Sequence, residues 1–127
     1  MTHSGGGEDF PFAGSATVGD VAWYEGNNGA VASPTYGTKD VCTRARNGLQ
    51  LCDMNGNVWE WTWDWFDATS YDAAGRTDPL GGSAGVLRIS RGGAWDDSER
   101  STRIAYRLRV PPSHRNFQGV RLIRTAD

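Results

Sequence analysis

Four side-chain oxygens crowd one glycine in the stretch Asp53-Met-Asn-Gly-Asn-Val-Trp-Glu60: Asp53, Asn55, Asn57 and Glu60 stand around Gly56. Carboxylates and amides at that density do one of two things. They hold a hard cation, or they hydrogen-bond backbone amides and clamp a tight turn. A second pattern overlaps the first, because Trp59, Trp61, Trp63 and Trp65 alternate with Glu60, Thr62 and Asp64. A period of two is that of a strand, which puts four indoles on one face and the polar residues on the other. Such indoles most often fill a core, and that is the expectation for Trp59, Trp61 and Trp95; stacking on a sugar or peptide is the other use.

Other metal chemistry is thinly supplied. The two cysteines, Cys42 and Cys52, form no CxxC, and the histidines are His3 and His114. A zinc site of cysteine and histidine is therefore not expected. Whether the two cysteines close a disulfide or stand as buried thiols is open from sequence, and Cys52 can serve as core filler. Charge is divided along the chain. Residues 1–85 carry four basic and eleven acidic residues, a balance of −7, whereas residues 86–127 carry nine arginines and four acids, a balance of +5. The arginines alternate with apolar residues, so the expectation is pairing with the acidic part inside one fold, with no nucleic-acid partner.

These groups need a scaffold, and 127 residues suffice for one domain, taken as 1–127 with 1–9 frayed. Six tryptophans and 17 glycines indicate a chain that is globular and loop-rich. Val18–Tyr24 is a short apolar stretch. Residues 26–48 and 68–85 read as loop, Val86–Arg91 as a strand, Arg91–Trp95 as a tight turn. Arg103–Val110 alternates, and Gly119–Arg124 reads as a terminal strand. No segment of convincing length has a helical period, and none is apolar enough to span a membrane. The opening residues lack a basic segment followed by an apolar run, so the default expectation is the cytoplasm. The fold class expected is α+β, irregular and rich in coil.

Several segments together resemble the formylglycine-generating enzyme (sulfatase-modifying factor) family. They are Gly19-Asp-Val-Ala-Trp-Tyr24, Gly48-Leu-Gln-Leu-Cys-Asp-Met-Asn-Gly-Asn-Val-Trp-Glu-Trp61, Arg91-Gly-Gly-Ala-Trp-Asp96, Arg103-Ile-Ala-Tyr-Arg107 and Gly119-Val-Arg-Leu-Ile-Arg124. The resemblance implies a C-type-lectin-like fold, here reduced at its N-terminus, so that an oligomer or a partner could complete it. It implies a calcium site of Asp53, Gly56, Val58 and Glu60, with side-chain oxygens from the first and last and carbonyls from the middle two. This is not an EF-hand, since Glu60 comes too early. Enzymes of the family bind copper through a cysteine pair shortly after the Arg-Gly-Gly turn and oxidise a substrate cysteine. Here the matching positions fall near Asp97 and Ser101 or Thr102, none of which carries sulfur, so copper and oxidase activity are not expected. The same region resembles the block that ends variable proteins of diversity-generating retroelements. It implies a ligand- or protein-binding face of Asp96, Asp97, Ser98, Tyr106, Leu108, Val110, Ser113, His114, Asn116 and Phe117.

Overall fold

Val18 and Val21, three residues apart, point the same way from a single helical turn, α1 (Val18–Val21), and both are buried. The turn runs directly into an extended pair, β1 (Ala22–Trp23), where the aromatic Trp23 favours the strand. With Phe12 and Ala22 the two valines form the core cluster of this part, and Tyr24 packs against it. The computed structural model describes residues 9–68 and 84–122. It has little regular structure, as the composition implied. The loop expected at 68–85 lies almost wholly outside the described residues, as do His3 and nearly all of the frayed segment.

Two sheets carry the chain. In the smaller, β1 lies parallel to β2 (Asn55–Gly56), with Ala22 opposite Asn55 and Trp23 opposite Gly56. Gly56 is required there. Its φ is +72°, and an added Cβ would stand 2.1 Å from the Trp23 carbonyl oxygen. The larger sheet is built from β3 (Trp59–Trp65), β4 (Arg88–Arg91), β5 (Leu108–Val110) and β6 (Gln118–Gly119), in the order β5-β4-β3-β6. β4 is antiparallel to β3 and β5, while β6 runs parallel to β3. The strand expected at 86–91 is thus shorter. The terminal strand is confined to Gln118–Gly119, with 120–122 in coil and 123–124 outside the described residues.

The tryptophan strand forms, but its indoles do not share one environment. Trp61 faces Ser90 and Trp65 faces Arg88, so β3 has two more residues than β4 between these pairs. That bulge re-aims the second half of the strand. Trp59 is 4 % exposed and sits in the core, Trp61 and Trp65 are half-buried, and Trp63 is 86 % exposed. Arg88 lies over Trp65 at 3.8 Å and over Trp63 at 5.5 Å.

Much of what holds the coil is polar. Asn28, Asn47, Asn55, Asn57, Ser90 and Thr102 are all buried. Coil has no ladder to satisfy its own amides and carbonyls, so buried side-chain amides do it instead. Asn55 accepts the Ala13 N–H at 2.7 Å and donates to the Thr102 carbonyl, joining three distant segments. Asn57 accepts from the Lys39 N–H (2.9 Å) and donates to the Lys39 carbonyl (3.1 Å), while Asn47 accepts from the N–H groups of Leu49 and Leu51, 3.0 Å each.

Candidate binding face and ion loop

The loop of Asp53 to Glu60 is closed from outside by one arginine. Arg121, just beyond β6, donates to both carboxylate oxygens of Glu60 at 2.6 and 2.8 Å. The same guanidinium donates to the carbonyls of Cys52 (3.1 Å) and Asp53 (3.0 Å). A planar guanidinium suits such a bidentate grip. It joins the acidic first part of the chain to the basic second part, as the charge division led one to expect. Other arginines are used differently: Arg91 donates to the carbonyls of Ile104 and Tyr106, and Arg44 lies over the Trp23 ring at 3.7 Å.

Asp53, Gly56, Val58 and Glu60, the four residues the resemblance gives to calcium, do line one cavity of about 210 Å³, together with Cys42, Cys52 and Arg121. One Asp53 oxygen accepts the Cys42 N–H at 2.6 Å. The donor set is hard oxygen of the calcium type, with Glu60 shared with Arg121. The cysteines are not buried thiols. Cys42 and Cys52 are joined as a disulfide, their Cα atoms 5.1 Å apart, with Cys42 exposed and Cys52 half-buried on the cavity wall. Core filler therefore does not describe Cys52; its neighbour across the cavity decided its role, and nothing in the local sequence identifies that neighbour.

The face expected at 96–117 is gathered partly around Trp59. Its indole N–H lies near the Asp97 carboxylate and favours the charged form, its ring lies 5.9 Å from Tyr106, and its backbone N–H donates to the Phe117 carbonyl at 2.8 Å. Phe117, at φ +57° and 42 % exposed, meets Trp95 edge-on at 5.3 Å. Asp97 also accepts the Ala94 N–H at 2.9 Å. Burial pushes its carboxyl above the ordinary value of 3.8, and Asp96 and Glu25 add repulsion, while the bonds from Ala94 and Trp59 oppose the shift.

The remaining candidates divide. Asp96 and His114 are half-buried; Ser98, Ser113 and Asn116 are exposed. Leu108 is half-buried within β5. Val110 is a correction: it is 8 % exposed and belongs to the core, because the last position of β5 points inward. At the positions where the resemblance places a copper-binding pair, Ser101 is half-buried and Thr102 fully buried, its hydroxyl donating to the Glu99 carbonyl at 2.8 Å. Trp59 is the residue that sequence reasoning filed under core alone. Its strand period told of burial, not of the indole N–H reaching Asp97.

Among solved structures the chain is similar to Treponema denticola variable protein 1, with a TM-score of 0.77 and 29 % identity, over 93 % of this chain and 41 % of that one. Among curated relatives it is 38 % identical over 94 residues to the formylglycine-generating enzyme of Streptomyces coelicolor, covering 71 % of this chain and 30 % of the enzyme. It is 30 % identical over 110 residues to the chaperone protein LppX of Paenibacillus barcinonensis, covering 78 % of this chain and 35 % of LppX. The chain thus spans about a third of the length of these two relatives. The fold is the C-type-lectin-like one of these domains, with short strands, one helical turn and long coil. The sulfatase-modifying factor enzyme 1-like domain matches residues 2–126, and the chain belongs to that family.

Proposed function

We propose that this chain is a non-catalytic binding module whose face, within residues 96–117, contacts a protein or another ligand. The observation that carries this reading is the seating of Asp97, Tyr106 and Phe117 around Trp59, which gives neighbouring exposed side chains a stiff support. The likeness to a variable protein over most of the chain supports it. So does the segment after Trp95, where Asp97, Ser101 and Thr102 offer no thiolate for copper(I). The alternative, drawn from the formylglycine-generating enzymes among the relatives, is copper-dependent oxidation of a substrate cysteine, by this chain or as an accessory to such an enzyme. A peptide-oxidation assay with added copper decides between them, because turnover by this chain alone sinks the binding module. A near-identical repeat of the 96–117 coding segment beside a reverse transcriptase gene supports diversification of the face. Solution sizing at the monomer mass counts against a partner copy that completes the fold.

For the ion loop, calcium held by Asp53, Gly56, Val58 and Glu60 would cross-link the loop to the start of β3. Four such residues on one cavity wall support this reading. Because Arg121 already neutralises Glu60, the expected gain is modest. Addition of calcium to chelator-treated protein raises Tm, and Glu60→Gln removes the response. An unchanged Tm in both cases removes calcium from the account.

A further inference from the structure

The Cys42–Cys52 pair does more than close a loop of coil. Cys42 Sγ, Cys52 Sγ and an Asp53 carboxylate oxygen all lie within 4.8 Å of one another. Three potential ligands from three different residues therefore converge on one point at the wall of the 53–60 cavity. The hydrogen bond from the Cys42 N–H to Asp53 fixes the carboxylate beside the sulfurs. Among the described residues, no other group of three or more cysteine, histidine or acidic side chains converges in this way.

We propose that reduction of the Cys42–Cys52 disulfide converts this corner into a site for a zinc-class divalent ion, held by the two thiolates and the Asp53 carboxylate. The chemistry balances simply. A dithiol or phosphine reductant supplies two electrons, the S–S bond breaks, and each sulfur takes one proton. Metal binding then forms two metal–sulfur bonds and releases both protons. Zinc bonded to two thiolates at about 2.3 Å in tetrahedral geometry holds the sulfurs roughly 3.8 Å apart. Cα atoms 5.1 Å apart allow that spacing with side-chain rotation alone. Thiolates select for zinc and similar ions over calcium, whereas the oxidised corner offers oxygen only. The disulfide thus sets which class of ion this end of the loop can take. A water fills the fourth position, as is usual where a protein supplies three ligands. Cys42 is exposed and Cys52 half-buried, so a reductant and an ion both have access. The inference stands apart from the binding-module reading, since neither cysteine belongs to the 96–117 face.

The test is an anaerobic cobalt(II) titration of the full chain, before and after phosphine reduction, followed by optical absorption. The reduced chain is expected to develop a thiolate-to-cobalt charge-transfer band that saturates at one ion per chain and is displaced by zinc. The oxidised chain, same sequence and fold, gives no band. Asp53→Asn weakens cobalt binding by roughly tenfold or more, the scale on which even outer partners of a metal act. Cys42→Ser/Cys52→Ser removes the band, and unchanged near-ultraviolet circular dichroism of that variant shows it folded. No band in the reduced chain overturns the proposal. So does an equal band in the double-serine variant, or a band that saturates at one ion per two chains with dimer formation in sizing.

Discussion

The segment from Asp53 to Glu60 and the segment from Pro111 to Phe117 are of similar length, yet the chain treats them in opposite ways. In the first, Asp53, Asn55, Asn57 and Glu60 all have side-chain partners, four residues are buried, and Gly56 has no room for a methyl group. In the second, six of seven residues are exposed and only His114 is half-buried. Its backbone is held by a turn from the His114 N–H to the Pro111 carbonyl and, at its end, by Phe117 on Trp59 and Trp95. The difference teaches where this coil-rich domain keeps its stability. Polar side chains aimed inward at backbone groups make the first segment scaffold, while those of the second are left for whatever lies outside.

The contrast can be attacked at its strongest point first. Gly56→Ala forces a methyl group into the Trp23 carbonyl at a left-handed φ, a combination expected to cost about 3–5 kcal/mol and to lower Tm by roughly 10–20 °C. A Tm within 2 °C of the parent, a shift of ~0.5 kcal/mol, would mean the loop is not the rigid part. Asn55→Ala leaves the Ala13 N–H and the Thr102 carbonyl buried without partners, at about 2–4 kcal/mol in denaturant titration. A loss below ~1 kcal/mol would show that water replaces the amide.

Asp97 sharpens the comparison, because it joins the scaffold to the face. Its folded-state carboxyl is raised by burial, so the folded chain binds that proton more tightly than the unfolded chain does. The resulting stability is complete below the ordinary value of 3.8 and is lost as pH rises through the raised folded value. Asp97→Asn keeps an acceptor for the Ala94 N–H and has no such loss. Its stability relative to the parent should therefore climb with pH across that window and then level off; a parallel pair of curves counts against burial as the cause. Smallest of all is Asn116→Ala, expected within about 0.5 kcal/mol of the parent. A larger loss would place Asn116 in the scaffold and blur the contrast.

The order of legibility follows the range of the interactions. A local period of two announced β3, and the density of oxygens around Gly56 announced either a cation site or a clamped turn, because both are written in consecutive residues. The bulge between Trp61 and Trp65 was not legible, since it depends on the register with β4, whose partners Ser90 and Arg88 lie far along the chain. For the same reason sequence alone could not distinguish disulfide from thiol at Cys42, or identify Arg121 as the partner of Glu60. Val110 falls in the segment that the resemblance gives to the binding face; only the sheet shows that the end of β5 turns inward.

Lys39 has a consequence of a practical kind. It is the single lysine in the chain. Its ammonium donates to the Asn28 side chain and to the carbonyls of Thr35 and Gly37, and it stands 5.5 Å over the Trp23 ring. An acylating reagent needs the lone pair of a free amine, and this nitrogen must first leave all of those partners to offer one. Acylation of this side chain in the folded protein therefore waits on opening of the coil around it. The rate at which Lys39 itself is acylated then becomes a clock for how often the coil around it opens.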